Sequence, residues 1–232
     1  FSVERLNKDF FKGYKERYKK FCDFLTGNAK DNRDYVKKLL GRLVFLQFLQ
    51  KKGWMGVPAG SDAWEGGDKA YMQNFVEHYK DNDRLLSDVL EPLFFYTLNE
   101  ARPGDIADSR LGENIKIPYL NGGLFDRDSL DKKNIDFPYA YFQELMEFFS
   151  EYNFTIDEND PDDAEVGIDH EMLGHIFENL LEDNKDKGAF YTPKEIVQYM
   201  CRETIVQYLK SHVDEQLYPA VEALIKNGVV NT

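Results

Sequence analysis

The sequence predicts a mainly α protein, a helical bundle carrying one or two short β-hairpins. Three observations predict it. Apolar residues recur at steps of three and four through most of the 232 residues. Eighteen Phe and fourteen Tyr supply large apolar rings for a core, which excludes a disordered chain. Strict alternation is confined to two short stretches, Ile115, Ile117 and Tyr119, and then Phe154 and Ile156.

Taken in order, residues 3–25 predict a helix, with Leu6, Phe10, Tyr14, Tyr18, Phe21 and Phe24 on one face and Lys and Arg on the other. Gly27-Asn28 ends it, and Asp31 is placed to cap a second helix over 32–52. That helix carries Leu39, Leu40, Leu43, Val44, Leu46, Phe48 and Leu49, apolar nearly all round, as a helix at the centre of a bundle is. Residues 53–67, with five glycines and both tryptophans, read as a packed loop. Helices follow over 68–80 and 82–98, the second bent at Pro92. Residues 102–113 are a loop. The alternation at 115–119 runs into Asn121-Gly122-Gly123, where glycines are expected to supply positive φ or close backbone approach in a hairpin or extended segment. Residues 138–152 are an aromatic helix, 157–165 an acidic surface loop, 169–181 a helix and 183–188 a charged loop. Helices over 193–212 and 214–226, the latter with Pro219 as an irregularity, complete the chain.

Net charge is −13, which argues against a free-standing DNA binder. The average hides an asymmetry. Residues 1–52 hold 14 Lys and Arg against 6 Asp and Glu, a surplus of +8, and the remainder carries −21. Any nucleic-acid contact is therefore expected on the basic N-terminal region, whose other reading is a solvated helix surface. Cys22 and Cys201 are too few for a disulfide framework or a zinc site and fit a reducing cytoplasm. No secretory signal or membrane span is visible, so no membrane partner is expected. A chain that opens on Phe1 rather than Met reads as a piece of a longer protein or a processed one.

The sharpest local pattern is Gly188-Ala189-Phe190-Tyr191-Thr192-Pro193-Lys194-Glu195. Thr192 is placed as a helix N-cap, Pro193 as the first helical residue and Glu195 as the return partner of a capping box. Free amides and a positive dipole end suit a carboxylate or phosphate there, with Phe190 and Tyr191 as aromatic walls. The plain alternative is a well-capped surface helix beside two core aromatics.

Gly188-x-Phe190-Tyr191-Thr192-Pro193 resembles the strip that opens the methyltransferase domain of bacterial N6-adenine DNA methyltransferases. Upstream, residues 39–54, Pro92-Leu93-Phe94-Phe95, Leu120-Asn121-Gly122-Gly123-Leu124-Phe125, Tyr152-Asn153-Phe154-Thr155-Ile156 and residues 173–181 resemble, in order, the helical connector of fused type IIG restriction–modification enzymes and their phage-defence relatives. The resemblance implies a helical connector over residues 1–182 and the truncated start of a methyltransferase domain over 183–232. It implies S-adenosylmethionine as cofactor of the full-length parent, with Phe190, Tyr191, Thr192 and Pro193 contacting it, and Mg2+ only where a nuclease lies upstream. The implied partners are double-stranded DNA and the adjoining nuclease, methyltransferase and target-recognition domains of the same chain, in a bacterial cytoplasm.

The family's catalytic Asn/Asp-Pro-Pro-aromatic segment and its glycine-rich cofactor loop do not occur in these residues, so the fragment alone is expected not to methylate DNA. Asp131-x-Lys133 and Asp183-x-Lys185 fit half of a nuclease metal pattern, but both fall in charged turns. His170 and His175 are five residues apart, not the four that place two zinc ligands on one helical face. No residue is therefore expected to be catalytic or to hold a metal. The competing reading of the whole chain is a non-catalytic helical interaction scaffold, in which the 190–193 strip is only a cap.

Overall fold

The structure, a computed structural model, describes residues 3–64, 66–120, 122–133, 135–154, 167–168, 174 and 194–227. It is mainly α, as expected. Its contacts divide the chain into two compact units, Phe1–Leu180 and Leu181–Thr232.

In the first unit, α1 (Val3–Phe24) and α2 (Ala29–Lys51) form an antiparallel pair. Gly27, in the left-handed region at φ +99, turns the chain between them. Asn28, not Asp31, caps α2. Its side chain accepts from the amides of Lys30 and Asp31, which leaves Asp31 inside the first turn. Leu39, Leu40, Leu43, Val44, Leu46, Phe48 and Leu49 are all buried, so α2 is the central helix the sequence predicts.

The core side of α1 is Phe10, Tyr14, Tyr18 and Phe21. Phe24, expected on that face, is 43% exposed, its ring resting at the edge of Phe137 and Tyr141. The helix α3 (Tyr71–His78) is shorter than the sequence predicts, and α4 (Tyr139–Ser150) packs against both α1 and α3. Contact between α1 and α4 is largely aromatic. Phe10 lies 5.2 Å from Phe148 and 4.8 Å from Tyr152, and Phe21 lies 4.7 Å from Phe137. Gly13 makes this approach possible, because a Cβ there would fall 2.5 Å from the Phe148 ring.

Residues 85–98 are not a bent α-helix. Two stretches, Leu86–Leu90 and Leu93–Thr97, are wound with the wider i→i+5 bonding, as in the 2.9 Å bond from the Leu98 amide to the Leu93 carbonyl. Pro92, which has no amide to donate, sits between them.

Among the described residues there are two short strand pairs, and neither is a hairpin. The strand β1 (Val57–Pro58), inside the predicted loop, pairs antiparallel with β2 (Ile115–Lys116). The strand β3 (Asn153–Phe154) pairs parallel with β4 (Gly167–Ile168). The turn expected at Gly122-Gly123 is a tight helical turn over Gly123–Phe125. The glycine expectation fails there: Gly122 is extended at φ −159, and no atom crowds either glycine. The helix expected over 169–181 and the loops expected over 157–165 and 183–188 lie outside the described residues, apart from a helical Gly174.

In the second unit, α5 (Lys194–Lys210) packs on α6 (Tyr218–Asn227). Pro219 stands in the first turn of α6, where it is tolerated, rather than interrupting it. Among the described residues no helix is long and apolar enough to cross a membrane.

Two substitutions test this packing. The Tyr14 hydroxyl is fully buried and finds no hydrogen-bond partner among the described residues. Removing it with Tyr14→Phe is expected to leave stability unchanged or to raise it by up to about 1 kcal/mol, and a clear loss in a urea titration would contradict the packing. A Cβ at Gly67 would fall 2.4 Å from the Met55 carbonyl oxygen and 2.5 Å from that of Gly53, both backbone atoms. Gly67→Ala is therefore expected to destabilise by about 1–3 kcal/mol in the same titration.

Candidate functional site

A helix buried on nearly every side has no solvent for its polar side chains, and α2 carries four that need partners: Asn32, which donates to the Thr26 carbonyl at 3.3 Å, and Arg42, Gln47 and Gln50. The way each is matched organises the polar interior of the first unit.

The Arg42 guanidinium is 2% exposed. It donates through Nε to the Leu124 carbonyl at 2.8 Å and through Nη2 to the Asp126 carbonyl at 2.9 Å. Its Nη1 and Nη2 grip the Asp131 carboxylate side-on, at 2.9 and 3.2 Å. The Phe95 ring lies 5.0 Å away, on the guanidinium face. Lys38, one helical turn earlier, donates to Asp131 at 2.6 Å and pairs with Asp128 at 2.5 Å. Asp128 in turn accepts the amides of Leu130 and Asp131. Residues 124–131 are thus wound onto α2 by charge-assisted bonds. Burial by itself would push the Asp131 carboxyl up. The bonds from Arg42 and Lys38 outweigh that and hold it below the ordinary carboxylate range.

This settles the use of Asp131. Half of a nuclease pattern in sequence, it is buried and saturated by two cations, which is a structural role. The turn Asp131–Lys133 does place the pair in a loop, as the sequence suggests. Nothing in sequence periodicity marks the clamp. The available signal is an arginine set inside an apolar run, Leu39 to Leu49, where burial would demand a carboxylate elsewhere.

One and two turns further along α2, Gln47 and Gln50 meet Gln73 of α3. Gln50 Nε2 donates to Gln47 Oε1 and Gln73 Oε1, both at 2.9 Å, and Gln73 Nε2 donates to Gln47 Oε1 at 2.8 Å. Gln50 Oε1 accepts the Met72 amide at 2.8 Å, which ties the start of α3 to α2. The amides floor a cleft of about 350 Å3 whose walls include Lys51, Tyr152 and Asn153, and among the described residues no Asp or Glu lines it. Lys51 reaches Asn153 at 2.8 Å. Amides and an ammonium can bind and orient a polar or anionic group. They supply neither a nucleophile nor an acid–base pair. Among the described residues no cluster of three or more His, Cys, Asp or Glu could hold a metal ion.

Phe190, Tyr191, Thr192 and Pro193 lie outside the described residues, as do His170, His175, Asp183 and Lys185. The described part of the following helix begins at Lys194. Its apolar side chains are unusually open. Ile196, Val197, Met200 and Tyr208 are half or more exposed or close to it, Met200 at 58% and Tyr208 at 64%. Tyr199 at 65% and Ile205 at 47% are open too, so exposed apolar side chains run round much of α5, with Val206 buried among them.

No family model matches the chain, and no solved structure matches it. A protein of Methanocaldococcus jannaschii assigned as a type II restriction enzyme and methyltransferase is 28% identical to it over 213 residues. The match takes in 87% of this chain and 16% of that protein. The chain is thus similar, over most of its length, to about a sixth of a much longer protein.

Breaking the clamp from one side should be severe. Asp131→Asn leaves the Arg42 charge buried without its counter-ion and is expected to destabilise by about 3–5 kcal/mol, whereas Arg42→Met with Asp131→Leu should recover much of that loss. Because the folded carboxyl titrates below its ordinary value, the clamp's contribution is present above the unfolded pKa of about 3.9 and lost as pH falls through the folded value. Urea midpoints between pH 3 and 7 should therefore fall on acidification in the unaltered protein. The Asp131→Asn profile should be flatter below about pH 4.

Proposed function

We propose that the chain is a segment of a DNA restriction–modification enzyme, joining a nuclease region to an S-adenosylmethionine-dependent adenine-N6 DNA methyltransferase domain. The observation that carries the reading is the similarity to the restriction enzyme and methyltransferase, which runs through most of the chain. On this reading residues 1–182 are the connector and 183–232 the opening of the methyltransferase domain, in a fused enzyme of the type IIG kind that serves phage defence.

Two features of the fold support it. The interior of the first unit is saturated with paired charges and amides and holds no reactive constellation among its described residues, which suits a rigid spacer better than a catalyst. The open apolar side chains of α5 suit a helix that packs under further structure of its own domain. A soluble surface helix would carry polar residues there.

Bound S-adenosylmethionine would supply an electrophilic methyl group to the adenine amine. The chain's own contribution on this reading is to hold the cofactor with Phe190, Tyr191, Thr192 and Pro193. Thr192 and Pro193 would open a helix whose free amides face a carboxylate, and the two rings would exclude water beside it. Any Mg2+ requirement belongs to a nuclease upstream. The substrate is double-stranded DNA, presented by the parent's target-recognition domain.

Calorimetric titration of S-adenosylmethionine into the full-length protein tests the reading. Binding is expected, and Tyr191→Ala with Thr192→Ala should weaken it by tenfold or more, roughly the 1–3 kcal/mol of an unmade buried hydrogen bond. Absence of binding in the unaltered protein would replace the reading with that of a non-catalytic helical scaffold.

A further inference from the structure

The basic surplus of the N-terminal region is not spread evenly over α1. Lys8, Lys12, Lys15 and Lys19 stand at i, i+4, i+7 and i+11, all exposed. That spacing places them on one line along the helix, roughly 16 Å long at 1.5 Å per residue. The line lies on the side of α1 away from Phe10, Tyr14 and Phe21, which face the core. Lys12, Lys15 and Lys19 make no ion pair among the described residues, although the chain carries 42 carboxylate side chains.

Arg33 and Lys37 add charge of the same sign on α2, the helix that packs against α1. Asp34, on the same element, is taken up by Lys37 at 3.9 Å. One border of the line carries the acidic groups of α1. Asp9 there is paired with Arg5 at 3.8 Å, while Glu16 and Asp23 are exposed.

We infer that this lysine line is a contact surface for the phosphate backbone of double-stranded DNA. The inference rests on the proposed function for the nature of the substrate, and it assigns the contact to particular residues of this chain. Three physical points carry it. The remaining residues, at −21, repel a polyanion, so a duplex approaching the chain is steered to the one region of opposite sign. Lysine ammoniums on flexible stems are point charges suited to phosphates rather than to base edges. The line contains no aromatic or amide side chain that could stack on or read a base, so it would position DNA without specifying sequence.

The test is fluorescence anisotropy of labelled duplexes with the full-length protein, between 50 and 300 mM salt. The variant is Lys12→Gln with Lys15→Gln and Lys19→Gln. The control, Lys80→Gln with Arg84→Gln and Lys132→Gln, removes the same charge from exposed positions elsewhere. Each lysine–phosphate interaction removed should lower the slope of log affinity against log salt by about 1, so the slope of the line variant is expected to fall by about 3, equally on cognate and unrelated duplexes. The control should keep its slope. Far-ultraviolet circular dichroism should be unchanged in both, because every altered side chain is exposed.

Equal slopes for the line variant and the unaltered protein would overturn the inference. If S-adenosylmethionine still bound in that case, the proposed function would stand without it. An equal fall in variant and control would also overturn it, reducing the effect to net charge. Loss of binding to phosphatidylglycerol vesicles with duplex binding untouched would make the face a membrane surface instead.

Discussion

Arg42 is the constraint on which the first unit turns. A guanidinium that is almost wholly excluded from water, on a helix surrounded by apolar side chains, must bring its own polar environment with it. Here that environment is the backbone and carboxylate of residues 124–131, wound over α2 so that four donor directions are met at once. Lys38 completes the balance of charge, and the aromatic rings of the Pro92 region close the guanidinium face. The loop has its shape because the arginine needs it. The loop's own glycines do not dictate that shape.

The same logic, with neutral groups, operates two turns along the helix. Three glutamines share their amides so completely that α2 and α3 are locked in one register. Together the clamp and the glutamine cluster tie residues 124–131 and the start of α3 to one helix.

Much of this was legible in the sequence. The face of α1, the burial of α2 and the aromatic helix α4 follow from periodicity, because a helix phase is a local property that a dozen residues suffice to reveal. What was not legible is what depends on distant partners. The pairing of Val57–Pro58 with Ile115–Lys116 has no local signature, so the alternation at 115–119 reads as half of a hairpin whose other half is elsewhere. Asp31 reads as a cap because it is an acidic residue just ahead of the predicted helix, yet the turn at Gly27 puts Asn28 in that position first. Pro92 reads as a bend, and the wide winding on either side of it has no local signature. The strip at 190–193 was the sharpest signal in the sequence, and it lies outside the described residues. Its role rests on resemblance, while the clamp, which resemblance did not mark as a unit, rests on geometry.

The β1–β2 pairing also bears on the order in which the molecule assembles. Only two residues pair on each side, and some 57 positions of chain separate Pro58 from Ile115. Closing a loop that long sacrifices several RT of chain entropy for very few bonds. The pair therefore cannot nucleate anything. It forms after α2 and α3 have already met and brought its ends together, so it belongs to the last events of folding and the first of unfolding. Lys116, whose ammonium reaches the Ser61 carbonyl and lies over Trp64, fastens that late seam from its own side chain. With Trp54 at the end of α2 replaced, the tryptophan beside it would make the seam an optical reporter, whose fluorescence follows the closing step apart from the helices beneath.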